Sequence, residues 1–243
     1  MVNGPFLVSA TNINRTNSVD LNQPNNIRRN CYIQFLVLPE PKLRVLHGSS
    51  QPRLTEAVDE KGNSLLGGVN MNEGMQPAYS WIWNMQCYLT PPEEAGKKIA
   101  RLKGTMRFTI QTRAESASIE DLAQKNVEKV VGGRRFIFKE MAQKDQFYIV
   151  KMTLYRGGWA MADWNSVYNC NIFRLSDGAG QFLQRTSTNP RGGGGDTMEI
   201  EVQFQKQNWN GVVTGAPVKL TWDVPVESKE ITVPFDFADL PLP

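Results

Sequence analysis

The feature of this sequence that most constrains its fold is an internal repeat with an offset of 118 residues. Asp59 and Gly62, in Asp-Glu-Lys-Gly, align with Asp177 and Gly180, in Asp-Gly-Ala-Gly. Further identities keep the same register without a gap: Leu65 with Leu183, Leu102 with Leu220, Asp121 with Asp239 and Leu122 with Leu240. A repeat of this length exceeds the ~20–50 residues of a solenoid unit and therefore indicates a duplicated domain.

The length of 243 residues accommodates either one large domain or two of ~100–150 residues. The repeat favours two domains, which we predict over residues 1–122 and 123–243. The last apolar segment of the chain is assigned to the core of the second domain through Ile231, Val233, Phe235 and Phe237.

Hydrophobic and polar residues alternate along most apolar segments, which is the period of a half-buried antiparallel strand. Turn-forming residues separate these segments at the ~8–12-residue spacing of a β-sandwich. We therefore predict an all-β protein made of two tandem Ig-like antiparallel β-sandwich domains related by internal duplication. The predicted strands include Phe6–Ala10, Tyr32–Leu38, Leu54–Val58, Lys103–Gln111, Arg135–Glu140, Phe147–Tyr155, Asn171–Leu175, Met198–Phe204 and Lys219–Val224.

One segment, Ser118–Val131, has the pattern of a helix. Its repeat partner, Phe235–Leu240, is strand-like and is followed by a proline. We therefore predict a strand end at Ile119–Leu122. A connector follows, with either a helical turn or a strand at Val127–Val131.

Composition argues against a nucleic-acid partner and against a membrane span. The net charge is only +3, and the basic doublets are scattered, so we expect no nucleic-acid partner. No apolar run approaches the ~18–20 residues that cross a bilayer, so the chain is predicted not to span a membrane. The first residues lack the basic and apolar regions of a secretory signal. This leaves a cytoplasmic protein and an exported, processed protein as alternatives.

Three short segments carry a resemblance to a known group: Val58–Leu66, Gly96–Gly104 and Ile231–Pro243. With these segments the chain resembles uncharacterised bacterial proteins of the planctomycete type, which contain paired immunoglobulin-like β-sandwiches. The resemblance implies this fold and an extracytoplasmic location, in the periplasm or at the cell surface. It implies no activity and no site residues.

The three cysteines have no CxxC or other metal-type spacing. An odd number excludes complete pairing within one chain. Cys31 and Cys87 lie in the same half, on strand-like segments, and either a disulfide between them or two buried thiols fits these positions. We expect Cys170 to be an unpaired thiol.

Residue types typical of catalytic sites are sparse. The single histidine, His47, precedes Gly-Ser-Ser, and we predict that it lies in a surface loop. The sequence has no G-x-S-x-G, no phosphate-binding loop and no metal-ligand spacing, so we expect no catalytic residue, no metal and no cofactor. Asp59 and Asp177 are predicted to form turns. Calcium binding by these loops is the alternative, although the EF-hand spacing is missing.

The tryptophans fall into two groups. Three are predicted to lie in the hydrophobic cores: Trp81, Trp83 and Trp222. Trp159, Trp164 and Trp209 lie in loop-like segments with Asn, Asp and Gly, where an indole can stack on a sugar, contact a partner or fold back over the sandwich. We therefore expect a non-enzymatic structural or protein-interaction module, of the cell envelope or of a larger assembly, with another protein as its partner. The alternative is a carbohydrate-binding protein that uses these three tryptophans.

Overall fold

The computed structural model describes residues 1–67, 74–78, 82–157 and 173–243, and these ranges contain strands and turns but no α-helix. The predicted all-β class with antiparallel sheets is therefore confirmed. Within Ser118–Val131, the segment with a helical pattern, a strand occupies Val127–Val131. No helix in the described ranges could cross a membrane.

The strands of the described ranges alternate with short turns, and several are much longer than the alternation predicts. They are β1 (Val2–Asn3), β2 (Phe6–Asp20), β3 (Gln23–Pro39), β4 (Val45–Ser49), β5 (Arg53–Asp59), β6 (Met75–Pro77), β7 (Trp83–Leu89), β8 (Lys98–Ile119), β9 (Val127–Val131), β10 (Arg134–Lys144), β11 (Phe147–Tyr155), β12 (Phe173–Asp177), β13 (Gln184–Gly192), β14 (Thr197–Gln205) and β15 (Pro217–Pro241).

The chain divides into two compact units, and the division differs from the predicted boundary between residues 122 and 123. Unit 1 consists of Met1–Ile110 and Lys229–Pro243, whereas unit 2 is the continuous segment Gln111–Ser228. Both unit boundaries lie inside strands, because β8 and β15 continue without a turn for 22 and 25 residues. The final strand segment, which we assigned to the second domain, therefore belongs to unit 1.

Unit 1 contains two packed layers of strands. β1, β2, β3 and β7 form one antiparallel sheet in that order, and β8 pairs with β4 and β5 in the other layer. The layers meet through aromatic rings: Phe6 stacks on Phe108 with centroids 4.9 Å apart, and Phe35 lies 5.2 Å from Phe235 of β15. Trp83 is buried, as predicted for a core residue. Trp81 lies outside the described residues.

Unit 2 also has a β-sandwich-like core. Its larger sheet has the order β13-β14-β11-β10-β9, and β12 pairs with β15 in the facing layer. Trp222 of β15 is buried in this core, where the ring of Phe136 lies edge-on at 4.2 Å and that of Phe173 is stacked at 5.8 Å. The predicted core position of Trp222 is thus confirmed.

Candidate interaction surface

Three turns of the same kind lie in the described residues, one in unit 1 and two in unit 2. Each begins with Asp or Asn and has a glycine three residues later in the left-handed region: φ is 84° at Gly62, 76° at Gly180 and 78° at Gly211. Glycine adopts this conformation without the steric strain that a Cβ atom causes. The third turn, Asn208–Gly211, was not predicted, although its Asx-x-x-Gly pattern is visible in the sequence.

The Asp59 carboxylate holds the first turn together. Its Oδ1 accepts hydrogen bonds from the backbone N–H groups of Lys61 and Asn63 at 2.9 and 2.8 Å. Its Oδ2 accepts the backbone N–H of Gly96 at 2.7 Å and the side-chain amide of Asn63 at 3.0 Å. Burial alone would raise the pKa of Asp59, but these donors outweigh it and lower the pKa from 3.8 to about 2.

Asp177 repeats this arrangement in unit 2. Oδ1 accepts the backbone N–H groups of Ala179 and Gln181 at 3.0 and 2.9 Å, and Oδ2 accepts that of Gly215 at 2.9 Å. The hydrogen bonds from Gln181 and Gly215 are the main reason that the pKa of Asp177 is lowered. Donors already surround both carboxylates, which favours turn formation over calcium binding. Within the described ranges no group of three or more His, Cys, Asp or Glu side chains could hold a metal ion.

The loop that carries Trp209 is fixed by its backbone. Asn208 Oδ1 accepts the N–H groups of Asn210 and Val212 at 2.9 and 3.0 Å, and the N–H of Asn208 donates to the Val212 carbonyl at 2.8 Å. At the end of the loop, Gly215 is bonded to Asp177. These hydrogen bonds order the backbone of the loop, and Trp209 is 63% exposed on it.

Other apolar side chains are exposed on the same loop and on the segment beside it. Val212 is 53% and Val213 78% exposed. Val213 forms a β-bridge with Gln207, and the Gln207 carbonyl accepts a hydrogen bond from the N–H of Gln184 at 2.7 Å. Phe182, two residues before Gln184, is 47% exposed. We call these four residues the Trp209 surface: Phe182, Trp209, Val212 and Val213.

Unit 1 has a corresponding loop with a different tip. Gly96 donates to Asp59 as Gly215 donates to Asp177, but the tip contains Pro91-Pro92-Glu93-Glu94. Lys61 holds this tip through a hydrogen bond from its Nζ to the Glu94 carbonyl at 2.9 Å. In both units an aspartate in a turn thus accepts a hydrogen bond from a glycine of this loop, whereas a tryptophan lies on the loop in unit 2 and not in unit 1.

The remaining residues singled out in the sequence do not join the Trp209 surface. Trp159, Trp164 and Cys170 lie outside the described residues. Cys31 and Cys87 are buried free thiols on neighbouring strands, opposite Leu89 and Ile33 respectively, which is one of the two arrangements predicted for them.

His47 is not in a surface loop, and that prediction was wrong. It is buried in β4, where all five residues are buried. The Gly-Ser-Ser sequence after His47 is typical of a turn, but Gly48 and Ser49 continue the strand and pair with β6.

In comparisons with known proteins, the chain matches no protein-family model, no curated protein and no solved structure.

Proposed function

We propose that this protein is a non-enzymatic structural or protein-interaction module and that it binds its partner through the Trp209 surface. The observation that carries this proposal is the exposed indole of Trp209 on a loop fixed by Asn208 and Asp177. Tryptophan contributes a large contact area with little conformational entropy to lose, and it is enriched among residues that dominate binding energy. A loop that is already ordered reduces the entropy lost on binding still further.

The architecture that presents this surface is proposed to be two Ig-like sandwiches that arose by duplication. The pairing of Ala57 with Leu102 in unit 1 is reproduced by the pairing of Leu175 with Leu220 in unit 2, at the offset of 118 residues. The turns of Asp59 and Asp177 support the same inference. After a duplication, one loop can acquire a binding residue while the other preserves the fold.

Two further features support binding rather than catalysis. The single histidine is buried in a strand, and two carboxylates that accept several hydrogen bonds, those of Asp59 and Asp177, stabilise turns. The proposed location is extracytoplasmic, in a cell envelope or a larger assembly, which rests on the resemblance described above.

Carbohydrate binding is the second candidate function. It is favoured by the exposure of Trp209 and by the asparagines on either side of it, since sugars stack on indole faces and bond to amide groups. In this case the contribution of Trp159 and Trp164 stays a prediction.

The test compares Trp209→Ala with Glu93→Ala, a substitution in the corresponding loop of unit 1. Wild type and both variants, matched by circular dichroism, are incubated with source-cell extract for quantitative capture and with a glycan array. We expect the Trp209 variant to lose a protein or a glycan that wild type and the Glu93 variant retain. Equal capture by all three proteins, or turnover that persists through repeated purification, would refute the proposed function.

A further inference from the structure

The hairpin of β2 and β3 in unit 1 extends beyond the sheet that contains it. The two strands pair with each other up to their connecting turn. On one side, β7 pairs with β3 only at Cys31–Val37, and on the other, β1 pairs with β2 only at Phe6 and Leu7. In the described part of the chain, residues 16–30 therefore form a two-stranded hairpin, which we call the arm.

Unit 2 shows that the sandwich does not require such an arm. The hairpin of β10 and β11 has the same place in the order of its sheet. There β14 pairs with all of β11, from Phe147 beside the turn to Tyr155. In unit 1, by contrast, none of residues 11–18 is buried. A two-stranded hairpin is only marginally stable in water, so a further strand beside the arm would stabilise it.

Of the two edges of the arm, that of β2 is the one open to pairing. The edge of β3 contains Pro24, which lacks an N–H, and the adjacent Arg28 and Arg29. Proline and charges of this kind protect an edge strand against pairing. Residues 9–20 of β2 contain no proline, and their two charges, Arg15 and Asp20, are of opposite sign.

The strand pairing determines which backbone groups lie on the β2 edge. The N–H of Val8 donates to the Met1 carbonyl, and the Val8 carbonyl accepts the Met1 amino group, both at 2.8 Å. Successive residues of a strand alternate in direction, and a β-bulge after Val8 adds one residue, so beyond it the odd-numbered residues face away from β3. Ile13, Arg15 and Asn17 therefore present N–H and carbonyl groups with which no described strand pairs.

Two copies of this edge fit each other best in one antiparallel register, because odd-numbered residues must lie opposite odd-numbered residues. When Arg15 lies opposite Asn17 of the second copy, Thr16 lies opposite Thr16. Ile13 then lies opposite Val19, and both pairs are of kinds that stabilise sheets. A shift in one direction places Arg15 opposite Arg15, which is unfavourable. A shift in the other direction shortens the paired stretch from residues 12–20 to residues 14–20.

We propose that the arm is a dimerisation element. β2 pairs antiparallel with β2 of a second copy about a two-fold axis at Thr16, and the two arms form one four-stranded sheet. In such an isologous contact each copy covers the open edge of the other. Arg15 keeps the hydrogen bond from its Nη1 to the Pro243 carbonyl at 3.4 Å, because the pairing uses its backbone groups.

Sedimentation velocity of the full chain over a series of concentrations tests the proposal, and a monomer–dimer equilibrium is expected. Asn17→Pro removes an N–H that faces the second copy and none that pairs with β3, so it should weaken dimerisation by at least about tenfold. Asn17→Ala is the matched control, since it keeps the N–H and should dimerise as wild type does. Trp209→Ala should also dimerise normally, because the arm is separate from the Trp209 surface.

Disulfide cross-linking tests the register. Directly opposite residues of a non-hydrogen-bonded pair have Cα atoms about 4.5 Å apart, which a disulfide can bridge. Thr16→Cys should therefore form a covalent dimer with oxidised glutathione. In Ser18→Cys, the matched control on the same strand, the two cysteines would lie four residues out of register, roughly 14 Å apart. That variant should stay unlinked, as should wild type with its native cysteines.

A wild-type chain that is monomeric at every concentration overturns the proposal. Equal dimerisation by wild type and Asn17→Pro overturns it as well, as does cross-linking through Ser18→Cys that equals that through Thr16→Cys. If Asn17→Pro melts well below wild type, the comparison of the Thr16 and Ser18 variants decides alone.

Discussion

Replacing Phe235 by alanine should destabilise unit 1, although Phe235 follows unit 2 in the sequence. Phe235 is 2% exposed, and its ring lies 5.2 Å from that of Phe35. On the other side it packs against Gly104, where an added Cβ would come within 2.6 Å of the Phe235 ring. Truncating a phenylalanine in such a core lowers the free energy of unfolding by ~3–5 kcal/mol, which is a large share of the ~5–15 kcal/mol of a typical domain.

The location of the damage is measured by hydrogen exchange with mass spectrometry. In Phe235→Ala, peptides from residues 1–110 and 229–243 should lose protection more than peptides from residues 111–228. Trp222→Ala is the matched control on the same strand, because Trp222 is equally buried but packs on Phe136 and Phe173 in unit 2. This variant should show the opposite distribution.

The division of the chain into these units would be refuted if Phe235→Ala loosened residues 111–228 first. The sequence repeat alone predicts that result, since it places Phe235 in the second domain. An unchanged melting temperature in Phe235→Ala would instead show that the segment after residue 229 does not contribute to a core.

Three other predictions concern the turns and the thiols. The pKa of Asp59 is lower in the folded chain than in the unfolded chain, so its contribution to stability should be complete above about pH 4 and should be lost as the pH falls toward 2. The difference in melting temperature between wild type and Asp59→Asn should therefore shrink over that pH range. Gly62→Ala should lower stability by ~1–2 kcal/mol in denaturant unfolding because φ is 84° there, and equal stability would show that the turn relaxes. Burial, and then the electrostatic effect of Cys31, raises the pKa of the Cys87 thiol to about 12. Cys87 should therefore resist alkylation at pH 8 in the native protein and react after denaturation. Labelling of Cys87 in the native protein would contradict its burial.

Much of the β-structure could be predicted because alternation records which side chains are buried. Met198–Phe204 and Phe147–Tyr155 alternate since one face of each strand contacts the core, and both lie within strands of the structure. By contrast, β2 continues from Ala10 to Asp20 through a polar segment. None of residues 11–18 is buried, so this part of β2 shows no alternating pattern in the sequence and the predicted strand was too short.

The same alternating pattern could not predict that the segment Lys229–Pro243 belongs to unit 1 and not to unit 2. Val233 and Phe235 show by their spacing that one face is buried, but hydrophobicity carries no information about which sheet receives that face. The Gly-Ser-Ser sequence after His47 predicts a loop, whereas strand pairing keeps Gly48 and Ser49 in β4. The exposure of Trp209 also depends on tertiary structure, since a loop tryptophan can point either way.

Unit 1 begins first during synthesis but is completed last, because it contains both Met1–Ile110 and Lys229–Pro243. When Ile110 leaves the ribosome, unit 1 still lacks Lys229–Pro243, whereas all of unit 2 is made in the next 118 residues. At ~5–20 residues per second, the first 110 residues wait roughly 6–24 s for the strand that covers Phe35. Throughout that interval an apolar surface stays uncovered in a nascent chain. A protein truncated before residue 229 would keep that surface uncovered permanently.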